Sequence, residues 1–206
     1  MIIRKLKPIM ALVLMVLSMV GGIAHAETML SAREVVDKFQ GQLLAVMKIG
    51  KQLGYAGRYD KLYDAVATSH DLTKIARIVI GKEWEKLTEA QQKNLTDVFS
   101  KLSVASYAHN FKDYSGETFT IDSEENTARG GVIVHAHLTI PGDKDVKFDY
   151  MLKDNGDSWR IINIIADGVS DLALKRSDYT AVLQNEGFDA LMVKINDKIS
   201  NYSKQE

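Results

Sequence analysis

A change in hydrophobic period between residues 114 and 165 constrains the fold of this chain more than any other feature of its sequence. Residues 132–140 and 146–152 largely alternate apolar with polar side chains, which is typical of strands that bury one face. Turn signals follow each run, at Pro141-Gly142-Asp143 and at Asn155-Gly156. Together with an earlier alternation at 118–121 and a β-branched run at 159–165, the pattern predicts an antiparallel meander of about four strands.

The segments on both sides of this meander have helical spacing. Ser31 with Glu34, and Thr88 with Gln91, form capping-box patterns, and Asp71 is a further candidate helix cap. The glycines at 50, 54 and 57 interrupt the first helical pattern, so a separate short helix is predicted over about 59–67. The helix predicted over about 89–111 carries two apolar stripes displaced around its axis, so its two ends bury different faces.

Helices, then an antiparallel sheet, then helices again predict a single α+β domain. One face of the sheet is apolar, and helices from both ends of the chain are available to cover it. The space between sheet and helices is then either a solid core or an apolar pocket, and the same residue types line both. The apolar face consists of Val132, Val134, Ala136, Leu138, Phe148, Tyr150 and Leu152.

The first 26 residues have the organisation of a secretory signal. Arg4, Lys5 and Lys7 precede an apolar run over 9–20, and Ala24-His25-Ala26 supplies a cleavage site. The run is shorter than the about 20 residues that span a bilayer. We expect cleavage near Ala26 and a mature domain over 27–206 in the periplasm, with an uncleaved anchor as the alternative.

Composition excludes several classes of site. The chain has no cysteine, which excludes disulfides, thiol nucleophiles and thiolate metal sites. Without the three basic residues of the predicted signal, 23 basic residues face 27 acidic ones, a net charge near −4. This balance argues against a nucleic-acid partner.

Few residues are candidates for catalysis or metal binding. His135 and His137 share one strand face, away from the apolar face, and no third ligand is identifiable. Asp167 follows the last predicted strand and is a candidate acid at a pocket mouth, with the hydroxyl of Tyr150 as the only polar group of the inner face. Phosphate-loop, dinucleotide and serine-hydrolase motifs are absent. An apolar sheet face with few polar groups favours binding an apolar molecule over transforming a polar one.

Several short motifs resemble the MlaC family of periplasmic lipid-binding proteins, also called the toluene-tolerance family. The resemblance covers nearly the whole mature chain, from about 32 to 200. Asn163 stands where that family often has aspartate. The matching elements are Ile78-Val79-Ile80-Gly81 before Trp84, Leu87-Thr88 before Gln91, Trp159-Arg160-Ile161, Gly168-Val169-Ser170 and Gly187-Phe188-Asp189.

Further elements are similar to the hopanoid-associated HpnM branch of the family. They are Tyr107-Ala108 with Phe111, Tyr114-Ser115-Gly116-Glu117 with Phe119, Asp167 to Ala173, and Arg176 to Tyr179.

The resemblance implies an NTF2-like, MlaC-like fold whose pocket holds the hydrocarbon part of a lipid. It implies a soluble carrier of an ABC-type transport system that moves a hopanoid or phospholipid between an inner-membrane transporter complex and the outer membrane. We expect a monomeric binding protein without catalytic activity or cofactor. The alternatives are a small pocket enzyme that uses Asp167 and an interaction module with a solid core. The predicted lipid-contacting wall comprises Trp84, Leu102, Tyr107, Phe111, Val132, Val134, Ala136, Phe148, Tyr150 and Leu152.

Overall fold

Within the described residues, helices, an antiparallel sheet and further helices follow one another in the order that the sequence predicts. The computed structural model describes residues 29–205, and the predicted signal segment lies outside them. The helices are α1 (Ala32–Met47), α2 (Gly50–Ser69), α3 (Leu72–Ile80), α4 (Glu89–Asn110), α5 (Asp171–Glu186) and α6 (Phe188–Lys204), with a 3₁₀ helix at Gly81–Lys86. The strands are β1 (Thr118–Asn126), β2 (Gly131–Thr139), β3 (Val146–Asp154), β4 (Trp159–Ala166) and β5 (Val169–Ser170).

The strands form one antiparallel sheet in the order β1-β2-β3-β4-β5. The predicted α+β class and meander are therefore confirmed. The short β5 is an addition: the chain reverses at Asp167-Gly168, where Asp167 has a φ of 48°, and β5 then pairs with Ile165 and Ala166. Register shifts interrupt the β1–β2 and β3–β4 pairings, and such bulges increase the local twist of a sheet.

The predicted apolar face is the buried face of the sheet. Val134 and Leu152 are almost completely buried against the helices, whereas His135 and His137 of the opposite face are half-buried. The covering helices start at their predicted caps, because Ser31 and Thr88 both form complete capping boxes. Asp71 Oδ1 accepts a hydrogen bond from the backbone of Lys74 at 2.9 Å and so caps α3.

The prediction of a separate helix that includes residues 59–67 is confirmed, but this helix is longer than predicted and begins soon after Gly54. The segment Gly50–Ser69 is kinked at Gly54, which leaves the helical conformation with a φ of 59°, so that two helical segments meet there. Gly57 stays helical, since glycine tolerates both conformations. The sequence therefore shows which glycines can interrupt a helix, whereas packing decides that Gly54 does so and Gly57 does not.

A buried arginine joins α2 to the end of α4. Arg58 is 2% exposed, and its Nε donates to the Ala108 carbonyl at 2.7 Å while Nη1 donates to the Gly50 carbonyl at 2.9 Å. The chain at Gly50 also approaches the backbone of Lys112 so closely that a Cβ at position 50 would lie 2.2 Å from the Lys112 carbonyl oxygen. Within residues 29–205, no helix is long and apolar enough to cross a membrane.

We expect Gly50→Ala to lower the free energy of unfolding by about 1–3 kcal/mol, because the new methyl group meets rigid backbone. Gly41→Ala is the matched control, since Gly41 lies in α1 and a Cβ added there would have no neighbour within 4 Å. That control should gain up to about 1 kcal/mol from helix propensity. Urea unfolding of both variants measures the difference, and equal stabilities would contradict the close approach.

Candidate functional site

A cavity of about 180 Å³ lies between the sheet and the helices. Strands β3 and β4 form one wall, α4 forms the opposite wall, and the first turns of α5 lie across one end. The apolar lining residues are Leu43, Ile75, Phe111, Phe148, Ile161, Ile162, Ile164, Ala166 and Leu172, and the residues that carry polar groups are His70, Ser103, Ser106, Tyr107, Asn110, Tyr150, Asn163, Asp171 and Lys175.

Aromatic rings contact one another in a continuous series along this cavity. Phe39 of α1 meets both His70 and Tyr107 edge-on, with ring centroids 5.0 and 5.1 Å apart. Tyr107 is followed by four further rings, each 5.9–6.4 Å from the one before it: Phe111, Phe119, Phe148 and Tyr150. Such contacts add stability beyond area burial and give a wall that is rigid and apolar.

His70 is the buried polar group at the inner side of the cavity. It ends α2, where the backbone N–H of the next residue, Asp71, donates to the Ile161 carbonyl of β4 at 3.0 Å. This bond holds the end of α2 on the sheet and places the imidazole in the cavity wall. The ring bonds to Ser69 through Nδ1 at 2.8 Å and to the Tyr107 hydroxyl through Nε2 at 3.0 Å.

Burial keeps the three titratable rings of the cavity uncharged. It lowers the pKa of His70 from 6.5 to about 3, with a smaller effect from the nearby charge of Lys175. It raises the pKa of Tyr150 from 10.0 to about 12 and that of Tyr107 well above 10.0. At neutral pH the inner cavity therefore presents neutral hydrogen-bonding groups among apolar side chains.

Four polar residues, Ser106, Asn110, Asp171 and Lys175, form a polar rim where the cavity reaches the surface. Asn110 and Asp171 are exposed, and Ser106 and Lys175 are half-buried. Lys175 and Asp171 form an ion pair within α5 itself. This pair gives the rim both signs of charge without joining α5 to another element.

Hydrogen bonds to Asn163 of β4 position the start of α5. Its Oδ1 accepts the hydroxyl of Ser170 at 3.1 Å and the backbone N–H of Leu172 at 3.2 Å. Ser170 in turn caps α5 by accepting the N–H of Ala173. An aspartate at 163 would offer the same acceptor oxygens, so this departure from the family pattern preserves the contact.

The structure brings four of the ten predicted wall residues together in the cavity. Tyr107, Phe111, Phe148 and Tyr150 line it. The other six, Leu102, Val132, Val134, Ala136, Leu152 and Trp84, are at most 8% exposed and belong to the surrounding hydrophobic core. Trp84 also borders a separate surface groove beside Glu89 and Lys93. The lipid contact assigned to all ten residues stays a prediction.

Sequence reasoning missed several lining residues, above all His70 and Asn163. His70 follows the end of a helix, outside any periodic pattern. The sequence offers no sign that the chain beside it bonds to the Ile161 carbonyl of β4. Asn163 stands out in the sequence only as a departure from a family pattern. Leu43 and Ile75 have helical spacing that marks them as buried, but the spacing does not distinguish core from cavity.

The remaining candidates lie away from the cavity. His135 bonds to Asp149 at 2.7 Å, and His137 bonds to Asp122 at 3.0 Å. No group of three potential metal ligands occurs in the described part of the chain. Asp167 is exposed, its carboxylate accepts the N–H of Lys147 at 3.0 Å, and it does not line the cavity.

Two comparisons with known proteins agree with this fold. The family model described as MlaC protein matches residues 37–197. A solved structure of a phospholipid-binding protein from Ralstonia solanacearum, in complex with a phospholipid, superposes with a TM-score of 0.74. The two sequences are 17% identical, and the match covers 84% of this chain and 99% of that one. This likeness shows that the two chains share a fold.

We expect His70 to make stability fall as the solution becomes acidic. The unfolded chain binds a proton at the ordinary pKa of 6.5, whereas the folded chain resists it down to about pH 3. The unfolded state therefore binds more protons across that window, and the free energy of unfolding declines as the pH falls through it. His70→Gln should flatten the decline measured by urea unfolding between about pH 7 and about pH 5.

His137→Gln is the matched control for this measurement. The hydrogen bond to Asp122 raises the pKa of His137, so its contribution is present at low pH and is lost as the pH rises. Removing His137 should therefore change the slope in the opposite sense. An unchanged slope in His70→Gln would show that His70 is not buried in its neutral form.

Proposed function

The chain belongs to the MlaC family, and on that premise we propose that it is a lipid carrier that holds hydrocarbon in the cavity between β3, β4 and α4. The observation that carries the proposal is the cavity's position on the apolar face of the sheet, walled by aromatic and branched aliphatic side chains. The phospholipid bound by the similar Ralstonia protein supports a lipid as the ligand.

Hydrocarbon burial is sufficient to drive such binding. Each CH₂ group removed from water contributes about 0.8 kcal/mol, so a chain of several carbons binds an apolar cavity without specific head-group contacts. The polar rim then suits the end of the lipid that stays hydrated, because it presents a carboxylate, an ammonium, an amide and a hydroxyl group at the surface.

The neutral state of the cavity groups favours binding over catalysis. A general acid or base works best with a pKa near the operating pH, whereas the pKa of His70 lies far below neutrality and the pKa values of Tyr107 and Tyr150 far above it. Asp167, the acid of the alternative enzyme hypothesis, lies outside the cavity. These positions support a carrier rather than a pocket enzyme.

The cavity is smaller than a lipid, so loading requires the surrounding elements to separate. Its 180 Å³ compare with about 150 Å³ for a cavity that accepts benzene and with roughly 300–1,000 Å³ for pockets that enclose drug-sized ligands. We expect the first half of α5 to be the wall that opens, because none of its residues is buried. The buried residues of this helix, Tyr179 and Val182, both lie in its second half, as does the hydrogen bond from Thr180 to the Val79 carbonyl.

We therefore expect Asn163→Leu to speed lipid exchange, because Ser170 and Leu172 lose the acceptor that holds the start of α5 on β4. The loss of stability should be about 1–2 kcal/mol. Hydrogen exchange of the amides at 169–176 and the off-rate of a fluorescent lipid measure the opening. Asn163→Asp, which keeps the acceptor oxygens, is the matched control, and equal off-rates in the two variants would contradict this role of Asn163.

A larger side chain in the cavity wall tests whether the lipid binds in this cavity. Ile164 is half-buried in β4, lines the cavity and pairs with Tyr150. We expect Ile164→Trp to reduce bound lipid at least about tenfold, because a larger ring occupies the space of the ligand. Native mass spectrometry of the purified protein, with organic extraction of the ligand, measures occupancy.

Ile133→Trp is the control for this experiment, since Ile133 is equally half-buried but lies on β2 outside the cavity lining. It should retain lipid occupancy near that of the unaltered protein. If the unaltered protein carries no lipid and binds none when lipid is added, the carrier function is wrong. If Ile164→Trp folds and keeps full occupancy, the lipid binds elsewhere.

The resemblance to the HpnM branch supports a more specific proposal. In it, the chain is exported by a signal cleaved near Ala26 and works in the periplasm as a monomer. It carries a hopanoid or phospholipid between an inner-membrane ABC-type complex and the outer membrane. Its wall includes the ten residues predicted from the sequence, and the six in the core contact the hydrocarbon once the cavity has opened.

A further inference from the structure

The direction of one hydrogen bond in the cavity wall follows from a single serine proton. Ser69 Oγ lies 2.6 Å from the Ala65 carbonyl oxygen and 2.8 Å from His70 Nδ1. A carbonyl oxygen only accepts, and a serine hydroxyl has one proton to donate. Ser69 therefore donates to Ala65, and its oxygen accepts from His70, which places the imidazole proton on Nδ1.

This tautomer determines what the Tyr107 hydroxyl does. A neutral imidazole with its proton on Nδ1 offers only a lone pair at Nε2, so at 3.0 Å the Tyr107 hydroxyl donates to Nε2. The imidazole stays neutral because it is buried beside Phe39, with Lys175 of α5 as the nearby cation. The tyrosine keeps its proton because it is buried, and the carboxylate of Asp171 has the same effect. Tyr107 thus has no proton left for a ligand, while its oxygen retains a free lone pair.

The residues that form this hydrogen bond belong to the wall of the cavity. Both His70 and Tyr107 line it, and the atoms that join them are the imidazole nitrogen and the phenolic oxygen. The rings of Phe39 and Phe111 pack against Tyr107 at 5.1 and 5.9 Å, so the oxygen is a polar acceptor in apolar surroundings. A buried acceptor of this kind gains most from a ligand that donates to it.

We infer that the cavity prefers lipids that carry a hydroxyl group on or next to their hydrocarbon part, with Tyr107 Oη accepting the hydrogen bond from that hydroxyl. The inference rests on the proposed lipid-binding function and specifies its ligand. Ester and ether oxygens only accept, so they gain nothing at this position, whereas an alcohol supplies the missing donor.

The experiment compares decanol with methyl nonyl ether, which have equal numbers of heavy atoms and differ in the O–H donor. Their affinities are measured by displacement of a fluorescent fatty acid from the full mature protein. The unaltered protein should bind the alcohol about threefold to tenfold more tightly than the ether. Tyr107→Phe should bring the two affinities within about twofold of each other, because it removes the acceptor and leaves the ring.

A second variant tests the direction of the bond. In His70→Phe the Tyr107 hydroxyl loses its acceptor and becomes free to donate, so the affinity for the ether should rise relative to the alcohol. Tyr63→Phe is the control, since Tyr63 is 48% exposed on α2, outside the cavity, and the preference for the alcohol should persist there. Circular dichroism verifies that each variant is folded.

Each outcome decides between the two proposals. If both molecules bind the unaltered protein equally, or the preference persists in Tyr107→Phe, the hydroxyl site is wrong while the carrier function stands. If the ether is preferred, the O–H of the alcohol finds no acceptor in the cavity, and the hydroxyl site is wrong. If neither molecule displaces the probe and no lipid binds, the carrier function fails and the inference fails with it.

Discussion

Burial of one apolar sheet face is the interaction on which the rest of this structure depends. In the described part of the chain, the side chains of β2 and β3 that point inward belong to one hydrophobic core with the helices, and α1 lies directly against β2. Apolar burial contributes about 25 cal/mol per Å², so this face and its covering helices dominate the stability of the domain. The cover is complete over Val134 and Leu152 and incomplete between β4, α4 and the start of α5. The cavity is thus a gap in the packing that otherwise stabilises the fold.

Polar groups with defined partners join the elements that surround that gap. Arg58 holds the end of α4 against α2, and Asp71 joins the end of α2 to β4. His70, placed by that junction, bonds to Tyr107 across the cavity wall. Buried polar groups are costly unless they are paired. The bonds described here connect elements that are distant in sequence, so they position the wall as well as satisfy the groups. The start of α5 is held on β4 by the side chain of Asn163 and by the short pairing of β5.

Much of the fold is predictable from local sequence. Alternation over 132–140 and 146–152 predicts the strands and their buried face, and the caps at Ser31, Asp71 and Thr88 predict where three helices begin. These signals are reliable because each depends on the chemistry of a few neighbouring residues. The prediction fails at Gly57, where a glycine stays inside a helix that packing extends. For the site, the sequence identified Tyr107, Phe111, Phe148 and Tyr150 as apolar wall, but gave no sign of His70.

The sequence by itself therefore determined the class of fold, the apolar sheet face, the main helix starts and a resemblance to one family of lipid-binding proteins. Only the tertiary structure decided which apolar residues border empty space and which are packed. Leu102 and Tyr107 lie little more than one turn apart on α4, yet one is core and the other cavity wall. The reason is that hydrophobic periodicity reports which side of an element is buried, whereas a cavity depends on how far apart elements from different parts of the chain come to rest.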